Sequence, residues 1–191
     1  MNLSSQTTAA VAAALVAAAS VLAFSELPAL FVWVAFIGWA SYDHSGATVQ
    51  AAMRSSAALV FGVAMAWLVA VVVTASGLLP GTAVSTAIAA GAASFLIVIA
   101  SRIVMLSIVP ATFYGFASTF AYLSLSSGAF TLEALTSSGW RNPLFSVSAS
   151  LLIGTGLGII QGWLTRALAA RGTSSPHVGL SATASATRRV K

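Results

Sequence analysis

One ten-residue pattern, V-[WP]-x-x-F-x-G-[WF]-A-S, occurs twice in the chain, at residues 32–41 and 109–118. The match includes a Gly and a Ser, which a plain apolar run does not require. A pattern that recurs 77 residues later in a chain of 191 residues indicates that two parts of the fold follow the same plan. We therefore predict that the two copies are equivalent helices in two halves of one protein.

Charged side chains are too scarce to cover a water-exposed surface. The chain is 59% hydrophobic and 6% charged, whereas soluble domains carry about 25% charged residues. The apolar runs approach the ~20 residues of a membrane-spanning helix and do not alternate as the strands of a membrane barrel do. Because a backbone in lipid must satisfy its own hydrogen bonds, we predict an all-α integral membrane protein. Cysteine is absent, which excludes disulfides and thiol chemistry.

Six apolar segments are predicted to cross the membrane, at residues 7–24, 27–42, 48–75, 82–100, 103–123 and 142–163. The second segment reaches only about 24 Å as a helix, so it either stands upright or re-enters the side from which it came. A tight turn at residues 77–81, with two Gly and a Pro, is predicted to join the halves. Residues 1–171 are the predicted six-helix membrane domain, and residues 172–191 are a predicted disordered tail.

Two weaker matches extend the internal repeat in the same order along the chain. Residues 17–22 resemble residues 91–96, and residues 58–66 resemble residues 150–158. Three spans per half is an odd number, so the second half must enter the membrane from the opposite side. The sequence therefore predicts two inverted three-helix repeats, at about residues 7–76 and 82–165.

Basic side chains predict the orientation of these spans. With six spans, one side of the membrane carries Arg141, and the side of both termini carries Arg54, Arg102, Arg166, Arg171, Arg188, Arg189 and Lys191. Short loops rich in Lys and Arg stay in the cytoplasm. Both termini are therefore predicted to be cytoplasmic.

Residues for catalysis or metal binding are few and scattered. The acids are Glu26, Asp43 and Glu133, and the predicted topology places only Asp43 on the cytoplasmic side. Two histidines, His44 and His177, are too few for a metal site. We expect no enzymatic activity, no cofactor, no bound metal and no nucleic-acid partner. The Asp43-His44 pair is interpreted as a solvated helix end or, alternatively, as a pH-sensitive mouth.

The two copies of the repeated pattern are the candidate site of solute contact, because equivalent helices of inverted repeats often meet near the membrane midplane. Their Gly permits close backbone approach, and their Ser can form hydrogen bonds. The candidate residues are Trp33, Phe36, Gly38, Ser41, Pro110, Thr112, Phe113, Tyr114, Gly115 and Ser118. The alternative is that they only pack the bundle. A small-residue packing face is predicted at Gly154, Gly158 and Gly162.

Three segments, residues 33–38, 109–121 and 151–158, resemble the YcdZ-like family of small bacterial inner-membrane proteins, whose function is unknown. The most specific part is V-P-x-T-F-x-G at residues 109–115. The resemblance covers roughly residues 5–165 and implies a multi-pass protein of the bacterial inner (plasma) membrane. It brings no catalytic residue and no substrate.

Two functional hypotheses follow from these observations. The first is a channel or facilitator for a small neutral or weakly polar solute, which passes near the midplane between the paired helices. The second is a non-transporting scaffold or accessory subunit that oligomerises through Gly/Ala helix faces. Both hypotheses expect the lipid bilayer and further copies of the chain as partners, since six short helices enclose little volume.

Overall fold

The computed structural model describes residues 5–75 and 83–172, and this part of the chain is helical with no strands. A 3₁₀ turn covers Val104–Leu106. The helices are α1 (Ser5–Ser25), α2 (Val32–His44), α3 (Val49–Ala75), α4 (Ala83–Ala100), α5 (Val109–Leu125), α6 (Leu132–Thr136) and α7 (Pro143–Gly172). Helices α1, α3 and α7 are long and apolar enough to cross a membrane, and α4 is a shorter apolar helix. The predicted all-α class is confirmed for the described residues, and these apolar helices are compatible with the predicted membrane protein.

Helices α2 and α5 begin later than predicted. Helix α2 starts at Val32 instead of residue 27, because Pro28 lies in a turn closed by the bond from Leu30 N to Leu27 O at 2.9 Å. Helix α5 starts at Val109 instead of residue 103. Proline lacks an N–H and its ring clashes with the preceding helical turn, so Pro110 is tolerated only at the start of a helix.

Helix α7 is longer than predicted. It continues from Trp163 to Gly172 and includes two further arginines, which extend past the apolar part of the helix. The predicted turn at residues 77–81 and residues 173–191 of the predicted tail lie outside the described residues. The predicted loop at 124–141 contains α6, whose N-terminus is capped by Thr131, since its Oγ1 accepts a hydrogen bond from Ala134 N.

Two helix pairs, α2 with α7 and α3 with α5, form the centre of the bundle. Helix α1 packs on α7, and α4 packs on α3. The core between these helices contains fully buried aliphatic side chains, among them Val34, Leu59, Val63, Leu135 and Leu151. The outer faces are apolar as well, and the side chain of Leu22 is 72% exposed. Exposed apolar faces of this extent are typical of helices that contact lipid.

The segment around α6 is tied to two helices of the bundle. The indole N–H of Trp67 in α3 donates to the carbonyl of Leu135 at 2.8 Å. The hydroxyl of Tyr122 in α5 donates to the carbonyl of Arg141 at 3.0 Å. These bonds hold the segment across the ends of α3 and α5, whereas the ion pair between Arg141 and Glu133 is exposed and long at 4.0 Å, so it contributes little.

Candidate functional site

The crossing of α2 and α7 depends on two glycines. A Cβ added to Gly38 would overlap the carbonyl of Leu151, and a Cβ added to Gly154 would overlap the carbonyl of Ala35. The two backbones are therefore in direct contact, which only a residue without a side chain allows.

The crossing of α3 and α5 has the same construction. A Cβ added to Gly115 would overlap the carbonyl of Leu59, and a Cβ added to Gly62 would overlap the carbonyl of Thr112. Gly115 lies 77 residues after Gly38, and Gly154 lies 92 residues after Gly62. The contacted carbonyls keep the same two separations, so each contact at one crossing has a counterpart at the other.

Burial follows the same two separations. In α2 the buried residues are Val34, Ala35, Gly38, Ser41 and Tyr42, and in α5 the residues 77 positions later are all buried. In α3 every buried residue from Ala51 to Ala66 has a buried counterpart 92 positions later in α7. In α1 and α4 the agreement is partial: the buried Val16 and Ser20 are matched by the buried Ala93 and Ile97 at a separation of 77, whereas the sequence matches had suggested 74. The residues 77 positions after the other three buried residues of α1 are half-buried.

Helices α2 and α7 run in the same direction. The backbone N–H of Phe31, just before α2, donates to Ser150 Oγ at 3.0 Å. At the other end of α2, the ring of Tyr42 lies where a Cβ on Gly158 would be. Since Ser150 is the eighth residue of α7, α2 begins about 10 Å inside the length of its partner.

The polar side chains buried among the described helices are uncharged. Apart from Asn142 they are all hydroxyls, contributed by Thr8, Ser20, Ser41, Ser55, Thr112, Ser118, Thr119, Ser146, Ser148, Ser150 and Thr155. Five of these hydroxyls donate to a carbonyl one turn earlier, as Thr119 does to Gly115 at 2.9 Å. The bundle can therefore offer hydrogen bonds to a solute, but no buried charge.

Two buried hydroxyls, Ser118 Oγ in α5 and Ser148 Oγ in α7, have no hydrogen-bond partner. Ser41, at the matching position of α2, has one, since its Oγ lies 2.7 Å from Ser55 Oγ. The residue that matches Ser55 in α7 is Val147, which cannot form this bond. An unpaired buried hydroxyl costs about 1–3 kcal/mol, so a hydrogen-bond partner at either group would be stabilising.

The residues predicted for solute contact fall into three environments. Gly38, Ser41, Thr112, Gly115 and Ser118 are buried at the helix crossings. Four aromatic residues are half-buried: Trp33 and Tyr114, which pack against the core, and Phe36 and Phe113. Pro110 is exposed.

The predicted packing glycines of α7 also differ among themselves. Gly154 and Gly158 contact α2, whereas the nearest atom to a Cβ on Gly162 belongs to Arg166 of the same helix. Sequence reasoning missed Ser55, Ser148 and Ser150. The signal for Ser55 was its mismatch with Val147, which becomes visible only when α3 is aligned with α7. The sequence carries no comparable signal for the other two.

A groove of about 460 Å³ lies between α1 and α2 and opens to the outside of the bundle. Its lining residues are Ala13, Ala14, Ala17, Phe36, Trp39, Ala40 and Asp43. Asp43 follows the apolar part of α2, which ends at Tyr42. Burial raises the pKa of the Asp43 carboxyl above its usual value of 3.8, and a hydrogen bond from Trp39 acts in the opposite direction.

Metal-ligating side chains do not cluster anywhere in residues 5–75 and 83–172: no three of His, Cys, Asp or Glu are close enough to hold an ion.

A family model described as "Protein of unknown function (DUF1097)" matches residues 10–166 of the chain. These residues include both glycine crossings, the unpaired hydroxyls and the groove. No curated protein matches, and neither does any solved structure.

Proposed function

Since the chain belongs to the DUF1097 family, a family of unknown function, we propose from its own residues that it is a membrane channel or facilitator for a small neutral or weakly polar solute. The observation that carries this proposal is the pair of buried, unpartnered hydroxyls in α5 and α7, Ser118 and Ser148. A solute with hydrogen-bonding groups can satisfy such a hydroxyl, whereas an ion would need charged rings or a carbonyl filter.

The proposed framework has six spans arranged as two inverted three-helix repeats. The matching glycine crossings and the matching burial support it, because both relate α2 to α5 and α3 to α7. The parallel course of α2 and α7 supports it as well, since the second and sixth spans of such a chain run in the same direction. Following the positive-inside rule, we place both termini in the cytoplasm, and following the YcdZ-like resemblance, we place the protein in a bacterial inner membrane.

The proposed solute path runs between two groups of helices. One group contains α1, α2 and α7, and the other contains α3, α4 and α5. The groups meet where α2 and α7 contact α3 and α5, and the bond between Ser41 Oγ and Ser55 Oγ crosses this boundary. Each group combines helices of both proposed repeats, and inverted-repeat transporters carry their substrate near the membrane midplane where the repeats meet.

Osmotic light scattering on purified protein in liposomes tests this proposal. The solutes are water, urea, glycerol, formamide and short amides, each compared with empty vesicles. We expect faster entry of at least one solute, and slower entry for Ser118→Ala and Ser148→Ala. Ser124→Ala, at an exposed position of α5, is the matched control and should behave as the unchanged chain. Rates equal to those of empty vesicles for every solute would contradict the proposal.

The alternative function, a scaffold or accessory subunit that oligomerises through Gly/Ala faces, also has a specific observation in its favour. Gly91 in α4 and Gly156 in α7 have no atom near the position of a Cβ, so small-residue surface remains free for a second copy or a partner helix. Substitution of Phe36 or Phe113 by Ala separates the two functions. Altered permeability with intact assembly supports the facilitator, and lost assembly with unchanged permeability supports the scaffold.

A further inference from the structure

The groove between α1 and α2 combines three kinds of surface. Ala13, Ala14 and Ala17 of α1 provide a floor of small apolar side chains. Phe36 and Trp39 of α2 provide an aromatic wall, with ring centroids 6.2 Å apart in an edge-to-face arrangement. Asp43 adds a single carboxylate in the last turn of α2.

Within residues 5–75 and 83–172, no basic side chain forms an ion pair with the carboxylate of Asp43. Helix α1, which forms the other wall of the groove, contains no charged residue. The indole of Trp39 donates a hydrogen bond to Asp43 and leaves the other acceptor sites of the carboxylate open.

The matching position in the second half lacks this chemistry. Seventy-seven residues after Trp39 and Asp43 stand Phe116 and Phe120, whose rings pack with centroids 5.0 Å apart. The second half thus has an aromatic pair where the first half has an aromatic ring beside a carboxylate. Two aromatics satisfy simple packing at this place, so packing does not require the acid of the first half. Asp43 is exposed at the end of α2, where its carboxylate is accessible to a ligand that carries positive charge.

We propose that this groove binds one membrane lipid with an ethanolamine head, whose primary ammonium pairs with the carboxylate of Asp43 and whose acyl chain lies over the alanines of α1. The volume falls within the range of about 300–1,000 Å³ of ligand pockets. The exposed apolar surface of α1 places the groove against the bilayer, where lipid is the available apolar ligand. Trp39 adds an aromatic face beside the ammonium. The lipid site does not depend on solute passage.

Quenching of tryptophan emission by brominated lipid tests the site. The full-length chain is reconstituted in phosphatidylglycerol vesicles that contain brominated phosphatidylethanolamine or, at the same fraction, brominated phosphatidylglycerol. The difference between the unchanged chain and Trp39→Phe isolates the emission of Trp39. We expect the ethanolamine lipid to be preferred about two- to fivefold, as the strength of a partly exposed ion pair implies. Phe116 shows that Phe fits the matching position, so Trp39→Phe should fold.

Three variants and one competitor decide the outcome. Asp43→Asn should abolish the preference, whereas Glu133→Gln, which removes an acid elsewhere, should retain it. Ala17→Phe should fill the groove and reduce quenching by both lipids. Equal quenching by the two brominated lipids would overturn the lipid site. If dodecylammonium nevertheless protected Trp39 in an Asp43-dependent way, the occupant would be a free amine and the lipid assignment would be wrong.

Discussion

The hydroxyl of Ser41 lies 2.7 Å from the hydroxyl of Ser55, and both side chains are fully buried. The same place in the second half holds Ser118 and Val147, and there the hydroxyl has no partner. One position of a repeated plan is therefore satisfied in α2 and unsatisfied in α5. Both buried hydroxyls without a hydrogen-bond partner, those of Ser118 and Ser148, therefore lie in the second half.

Replacing Val147 by Ser is expected to give Ser118 the partner that Ser41 already has. Val147→Ala removes a similar apolar volume without adding a hydroxyl, so it is the matched control. We expect Val147→Ser to be more stable than Val147→Ala by about 1 kcal/mol, the usual contribution of one hydrogen bond. The difference should vanish in a Ser118→Ala background, as measured by SDS-induced unfolding in mild detergent.

The same Val147→Ser variant is expected to slow solute entry into liposomes, because the Ser118 hydroxyl would then bond to protein instead of solute. Unchanged permeability together with the predicted gain in stability would remove Ser118 from the solute path.

Adding a methyl group at any of the four crossing glycines is expected to destabilise the bundle. Overpacking of a tight contact costs about 1–3 kcal/mol, and here the obstacle is backbone, which cannot rotate away. The variants are Gly38→Ala, Gly62→Ala, Gly115→Ala and Gly154→Ala, measured by thermal unfolding in detergent.

Gly91→Ala and Gly156→Ala are the controls for the crossing glycines. No atom stands near a Cβ at either position, so these variants should be neutral or gain up to about 1 kcal/mol of helix propensity. Equal loss of stability in both sets would contradict the backbone contact as the cause.

The proposed topology predicts which positions face the cytoplasm. Because the chain has no cysteine, a single introduced cysteine is its sole reactive thiol. In intact cells we expect a membrane-impermeant maleimide to label Glu26→Cys and Ser127→Cys. His44→Cys and Ser101→Cys should react only after lysis. Labelling of His44→Cys and Ser127→Cys from the same side would refute the inverted arrangement.

Ser150→Ala is expected to loosen the start of α2. The Phe31 N–H would lose its acceptor, 3.0 Å away, and an unpaired backbone donor in an apolar setting costs about 1–3 kcal/mol. Hydrogen exchange at Phe31 should accelerate while exchange in α3 stays unchanged. Ser124→Ala, at an exposed hydroxyl, should leave both rates as they are. An unaffected Phe31 amide would mean that another group holds the start of α2.

Much of the fold could be predicted from the sequence, because lipid imposes strong rules on composition. Scarce charge and long apolar runs are sufficient to predict an all-α membrane protein, and they locate α1, α3, α4 and the start of α7 to within two residues. The end of α7 lies nine residues beyond the predicted one, because the helix continues past its apolar part. The predicted starts of α2 and α5 were wrong because a proline limits where a helix can begin, and the hydrophobicity of the surrounding run does not show this limit. Pro110 limits the start of α5, whereas an apolar run continues through residues 103–108 without interruption.

The candidate site was predicted in part. Gly38 and Gly115 stand out in the repeated pattern, but the pattern does not tell which helix each one meets. Gly154 and Gly62 complete these crossings through tertiary packing between the two halves. The hydrophobic periodicity of the sequence cannot reveal such contacts. The sequence also does not reveal that the hydroxyls of Ser118 and Ser148 are unpaired, or that a groove forms at Asp43. Both features depend on which residues of other helices lie nearby in the fold.

The crossed arrangement of the glycines has a consequence for how the protein is made. Helix α2 packs on α7, which leaves the ribosome after the other described helices, and α5 packs on α3 from the other half. Gly38 and Gly62 can therefore reach these contacts only after α7 and α5 have been made. We expect a chain interrupted after α3 to lack the packing partners of both glycines.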